Sequence, residues 1–327
     1  MYDVITVGSA TVDAFVETGS KLFMKTREKG LYSIPFGSKI LVEQVKFATG
    51  GGGTNAAVSL ARLGFRTAWL GKIGEGGNSK RVMDELKKED IDTSLVSRDK
   101  ARTGYSVILD AKGKDRTILA YKGSNDDLGW KEVDAKRLKT RWFYFASMTG
   151  KSWSTMKKLA AFAEKNSKRI MFNPSSYMCK RGAKHLKPVL DRAEILSLNR
   201  EEAGYLVKGK SIKQLLKGLY RLVPHIVIIT QGSKGVHCFD GKNIYSAKPN
   251  KVKVLESTGA GDAFGSGFLA GFVRTGEISK ALQTGIANAE SVITHYGAKN
   301  RLLTWRQAQA RIRKSPAKVK VDLLPVR

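Results

Sequence analysis

The chain is poor in cysteine, histidine and acidic residues, and each shortage removes a class of answer. Its two cysteines, Cys179 and Cys238, are too few and too far apart for a disulfide framework or a thiolate zinc site. The four histidines, His185, His225, His237 and His295, show no ligand spacing, so packing or surface roles are expected of them. Charges interrupt every apolar run before the ~18 residues that a membrane span needs. The first ten residues lack a basic segment ahead of an apolar one and read directly as a buried strand. No secretory signal is expected, and a cytoplasmic location is. Acidic residues number 29 against 58 lysines and arginines, a formal charge of +29. Such a balance attracts nucleic acid and anionic substrates non-specifically. The basic residues run along the whole chain, as in 131–141 and 180–187, which reads as solvated faces rather than one binding patch. The most basic stretch, 311–320, reads as a solvated tail.

What is present is an ordinary globular composition, 42% hydrophobic over 327 residues. That length allows one large domain with an appendage, or two domains. Short β-branched runs at 3–8, 67–70, 142–146, 169–172, 194–198 and 225–230 alternate with helical patterns at 55–63, 79–89, 154–164 and 212–222. The alternation predicts an α/β fold of three layers, αβα, around a mostly parallel central sheet. Gly64 stands where the first of those helices should end. Two stretches break the alternation: 14–46, which has no helical period, and the paired runs 103–110 and 115–121 around Ala111-Lys112-Gly113-Lys114, which read as a hairpin. They are expected to form a small β-sheet lid, spanning about 14–46 and 102–121, on a single domain of 1–327. A further hairpin is signalled at Asp240-Gly241.

Ligands of open α/β sheets bind outside the carboxyl ends of the strands. Asp13, Asn173, Asn199, Glu202, Gly232 and Asp262 fall at that edge. Ser257-Thr258-Gly259-Ala260-Gly261-Asp262 leads into an apolar run of helical length, 264–273. Small residues let an anion approach the backbone, and the free N–H groups of a first helical turn favour its charge. Asp262, at the mouth of that turn, could take the proton of an attacking hydroxyl. Close packing of a Gly/Ala helix start explains the segment equally well when it is taken alone. A second glycine run, Gly50-Gly51-Gly52-Gly53-Thr54-Asn55, precedes a helix and reads as a hinge that also touches substrate, with Asn55 offering both a donor and an acceptor. Gly150-Lys151-Ser152 is not a P-loop, because Phe145 stands where its first glycine belongs.

The two glycine segments, in this order and about 200 residues apart, resemble the signatures of the ribokinase-like (PfkB) family of carbohydrate and nucleoside kinases. The resemblance runs from Asp3 to about Gly297. It implies that Asp13, Gly51, Gly52 and Asn55 bind substrate hydroxyls, and that Gly259, Ala260 and Gly261 form an anion hole beside the base Asp262. It also implies that Thr230, Gly232 and Asn288 line the nucleotide site. Asn199 and Glu202, in the pattern N-x-x-E, would organise Mg2+ and the phosphates of ATP through water. Glu256 stands where the pattern has Asp, at a position that helps bind a monovalent cation such as K+, and the longer side chain sets potassium dependence apart from the pattern. Thr11 replaces an Asn of ribokinase, and Ala146-Ser147-Met148 lacks its sugar-binding glutamate. A homodimer through the lid is a further implication.

The first functional expectation is therefore an ATP-dependent kinase acting on a hydroxyl of a small sugar. The second is an adenosine-like nucleoside kinase, which needs lid aromatics (Phe15, Phe23, Tyr32, Phe36, Tyr105 or Tyr121) to stack on a base. The third is a non-catalytic, basic nucleic-acid-binding protein on the same fold.

Overall fold

The structure is a computed structural model that describes residues 1–18, 24–25, 32–33, 37, 39–111, 117–223 and 225–324. Strand residues such as Val4-Ile5 and Trp142-Phe143-Tyr144-Phe145 are apolar on both sides, so each strand must be covered on both faces. The sequence alternation does this. Ile5, Val7, Phe143, Phe145, Ile170 and Phe172 point to one core, under the helices Gly150–Lys165, Gly182–Leu190 and Ile212–Tyr220. Val4, Trp142, Tyr144, Met171 and Ile228 point to the other, under the helices Gly52–Arg62, Ala260–Thr275 and Ile278–Val292. The result is the expected αβα sandwich.

Among the described residues its central sheet has nine strands. Six are parallel, in the order Ile226–Thr230, Ile195–Asn199, Arg169–Phe172, Thr140–Phe145, Tyr2–Val7, Thr67–Leu70. The chain winds from Tyr2–Val7 to one side and later returns to the other, so the strand order reverses at Tyr2–Val7. Crevices open at such switch points, outside the strand carboxyl ends. Three antiparallel strands close the far edge: Val236–Phe239, Asn243–Ala247 and Val319–Leu323. The first two are the hairpin expected at Asp240-Gly241. The third corrects the reading of 311–320 as a solvated tail. Thr304 and Gln307 form a capping box that starts the helix Trp305–Lys314, and the alternating Val319, Val321 and Leu323 then pair with Asn243–Ala247.

The lid is a separate four-stranded sheet, ordered Thr117–Tyr121, Gly104–Ala111, Thr11–Thr18, Gln44–Gly50. The expected hairpin is its first pair, with the turn residues 112–116 outside the described ones. Phe23, Phe36 and the side chain of Tyr32 also lie outside them. A short parallel pair, Lys72–Glu75 with Ser97–Arg102, was not anticipated from the sequence. Among the described residues, no helix is long and apolar enough to cross a membrane.

Candidate active site

One cavity of about 930 Å3 lies at the switch point, between the strand ends and the lid. Its size is that of a small-molecule site. Ser9, Thr11 and Asp13 enter it from the first crossing into the lid, and Gly51, Gly52 and Asn55 from the start of the helix Gly52–Arg62. Ala146, Ser147, Asn173, Asn199, Glu202 and Thr230 enter from the ends of four successive parallel strands and the turns that follow them. Thr258, Gly259, Gly261 and Asp262 complete the wall. The two glycine segments, far apart in sequence, therefore meet across one cavity.

Two of these glycines are held in place by geometry that other residues resist. Gly51 has φ 94°, and a Cβ there would stand 2.4 Å from the Ser9 carbonyl oxygen. Gly259 has φ 79°, and a Cβ would stand 2.4 Å from that of Ala298. The first glycine run is thus packed against Ser9 and Ala10, which gives close approach, rather than hinging, as its physical reason.

Gly259 is the N-cap of the helix Ala260–Thr275. The Ala260 N–H donates to the Ser257 carbonyl at 3.2 Å. Those of Gly261 and Asp262, at the second and third helical positions, have no intrahelical acceptor and meet the positive end of the helix dipole. The Asp262 carboxylate accepts from Asn55 Nδ2 at 2.8 Å. Burial raises its pKa above the usual carboxylate value, while the Asn55 hydrogen bond and the charge of Lys299 pull it back down. The other side of the same amide, Asn55 Oδ1, is buried without a protein partner. An unmet buried acceptor is costly, and a hydroxyl donor in the cavity would satisfy it. Asp13 accepts from Thr11 Oγ1 at 2.9 Å, and burial raises its pKa as well.

Asn199 and Glu202 lie side by side, and their local role is a capping box. Asn199 Oδ1 accepts from the Glu202 N–H at 2.9 Å, and Glu202 Oε2 accepts from the Asn199 N–H at 2.8 Å. Ser176 donates to the other oxygen of Glu202 at 3.0 Å, and burial raises the pKa of this carboxyl. A carboxylate so fixed on the cavity wall keeps lone pairs free for water. Mg2+ retains most of its waters and takes only one or two carboxylates beside substrate phosphates, so this donor set fits it. Among the described residues, no cluster of three or more His, Cys, Asp or Glu forms an all-protein metal cage.

Four expected residues lie off the cavity. Asn288 is fully buried between helices, donating to Ser59 Oγ and the Ala263 carbonyl, each at 2.9 Å, and accepting from the Leu303 N–H at 3.0 Å. Its amide is used up by the fold. Gly232 sits in the turn Gly232–Lys234 and Ala260 behind Gly259, and neither lines the cavity. Glu256 is buried and accepts from the Thr258 N–H at 2.6 Å, also outside the cavity lining.

Lys299 gave no sequence signal. It is only 4% exposed, and its Nζ donates to Glu85 Oε2 at 2.7 Å and Thr49 Oγ1 at 2.9 Å. Its charge acts on both Asp13 and Asp262. Asn125 was missed as well. It clamps Ala10 in both directions, accepting from the Ala10 N–H and donating to the Ala10 carbonyl, each at 2.8 Å.

The model of pfkB family carbohydrate kinases matches residues 14–305, and the chain belongs to that family. It is a carbohydrate kinase. It is 28% identical over 251 residues to an uncharacterized sugar kinase of Archaeoglobus fulgidus, covering 75% of this chain and 98% of that protein. It is 29% identical over 280 residues to a 5-dehydro-2-deoxygluconokinase of Clostridium botulinum, covering 79% and 82%. In fold it is similar to an E. coli protein described as a candidate ribokinase II, solved with ATP and Mg2+. The TM-score is 0.80 at 19% identity, covering 96% of this chain and 100% of that one. Family membership sets aside the non-catalytic, nucleic-acid-binding reading.

Proposed function

We propose that this kinase transfers the γ-phosphoryl group of ATP to a hydroxyl of a small sugar, with Asp262 as general base. The observation that carries the reading is the contact of Asn55 with Asp262 beside the N–H groups of Gly261 and Asp262, in the cavity that also holds Asp13. A sugar placed there donates one hydroxyl to Asn55 Oδ1 or Asp13, while the attacking hydroxyl gives its own proton to the Asp262 carboxylate as its oxygen attacks phosphorus. The new O–P bond forms as the bond to the β-phosphate oxygen breaks, and ADP leaves. The first-turn N–H groups and the helix dipole stabilise the charge on the transferring group, which is the main catalytic demand of phosphoryl transfer. Glu202, with Asn199 holding it, is the residue that would keep Mg2+ at the phosphates through water, and when bound that ion supplies charge neutralisation there. Thr230 lines the same cavity and would face the nucleotide. The lid sheet excludes water from the reaction.

The lid favours a sugar over a nucleoside. Its described cavity-facing side chains are Thr11, Asp13, Ser106, Ile108, Ile118 and Ala120. Tyr105 and Tyr121 sit at alternate positions of the same strands, and Phe15 packs edge-on against Tyr296. No described lid aromatic is placed to stack on a base. The sugar-kinase names of the relatives point the same way. The outer lid face exposes Val45, Phe47, Leu119 and Tyr121, the apolar surface that a lid-to-lid homodimer would bury.

The test is ADP release from ATP and Mg2+ against a panel of pentoses, hexoses, sugar acids, sugar phosphates and nucleosides. Acceptor-dependent turnover by a sugar or sugar derivative is expected. Turnover with nucleosides alone would overturn the sugar assignment.

A further inference from the structure

Building on the sugar-kinase reading, we propose that the acceptor carries an anionic group, a carboxylate or a phosphate ester, held by Lys122 and Arg181. Both side chains line the active-site cavity. The chain neutralises its two buried lysines with acids, whereas Lys122 is half-buried and Arg181 is exposed at the cavity rim. Lys72 is surrounded by Asp99, Asp127 and Glu132 at 3.3, 3.2 and 2.9 Å, and Lys299 pairs with Glu85. Lys122 and Arg181 take no acidic partner among the described residues, although Asp126 and Glu202 line the same cavity. Those acids are engaged elsewhere, Asp126 by Thr149 and Glu202 by the Asn199 N–H and Ser176. Two unneutralised cations on one cavity wall form a place for a negative charge that the ligand brings.

Local structure fixes where they stand. Lys122 is half-buried, with its ammonium 3.9 Å from the centre of the Tyr177 ring. Arg181 follows Tyr177 by four residues, through Lys180 and Arg181 in right-handed helical conformation, so the two side chains share one face. Lys122 also belongs to the acceptor wall. It follows the lid strand Thr117–Tyr121, and its carbonyl accepts from Asn125 Nδ2 at 2.9 Å. The same Asn125 is the clamp on Ala10, three residues before Asp13. The backbone of Lys122 is thereby tied to the segment that presents Asp13, next to the sheet that closes over the acceptor.

The experiment compares neutral sugars, sugar acids and sugar monophosphates as acceptors for the intact enzyme, the last two arms separating carboxylate from phosphate. It is repeated with Lys122→Met and Arg181→Met, with thermal midpoints measured for each variant. An anionic acceptor is expected to exceed its neutral counterpart in kcat/KM. Each substitution should reduce that advantage by roughly 10- to 100-fold, the worth of one charge-assisted hydrogen bond, through the acceptor KM with the ATP KM unchanged. Neutral sugars turned over best would overturn this inference and leave the sugar-kinase reading standing. A rise in ATP KM in place of acceptor KM would assign the two cations to the nucleotide phosphates and also overturn it. No turnover with any sugar derivative would remove both.

Discussion

Lys299→Met deletes a buried charge while keeping the length of the side chain, and its cost can be worked from the contacts. Removing one partner of a buried ion pair costs about 3–5 kcal/mol when the remaining charge is fully buried. Glu85 is 31% exposed against 4% for Lys299, so water can take over much of its solvation. The loss of stability should therefore fall to roughly 1–3 kcal/mol, including the hydrogen bond left unmade at Thr49. Urea denaturation at neutral pH reads this, and the double variant with Glu85→Gln should be more stable than the sum of the two single losses. A second readout separates function from packing. In the proposed mechanism Asp262 acts as base in its ionised form, and its pKa is raised, so turnover should fall as pH drops through that raised value. Lys299 holds the pKa down. Without it, the acid limb should move to higher pH, and Lys299→Arg should restore part of the shift. A stability change below about 0.5 kcal/mol, together with an unmoved acid limb, would refute the reasoning.

Two further outcomes follow from single side chains. Tyr144 is fully buried, its hydroxyl has no partner, and burial followed by the nearby charge of Asp262 raises its pKa, so Tyr144→Phe should stabilise the protein by about 1 kcal/mol in the same denaturation assay. Asn288→Ala should destabilise by roughly 2–4 kcal/mol, because three hydrogen bonds lose their partner, while the KM for ATP stays unchanged.

The parallel core of the sheet was legible because strands covered on both faces write themselves as short apolar runs. The site was legible where small residues were demanded, at Gly50–Gly53 and Gly259–Gly261, since close approach leaves a compositional trace. The pattern Asn199-Arg200-Glu201-Glu202 was legible too, yet it has two meanings at once, a helix cap and a polar cavity wall. The strand Val319–Leu323 was hidden because an edge strand carries charges, here Lys320 and Asp322, on its open side. Lys299 was invisible for another reason. Its partners Thr49 and Glu85 lie 250 and 214 positions away, and no local pattern announces a contact that only the tertiary fold creates. Asn288 shows the reverse case, a polar residue carried into the nucleotide site by resemblance but taken up by packing.

The central claim is that Asp262 is the base at a preformed phosphoryl site, and Asp262→Asn tests it most directly. Nucleotide affinity and acceptor-stimulated ADP release would be measured on the same folded preparation. The account predicts nearly unchanged ATP binding with turnover reduced by roughly 10²- to 10⁴-fold, the usual worth of general-base catalysis. Turnover within a few-fold of the parent enzyme would remove Asp262 from the mechanism and contradict the account.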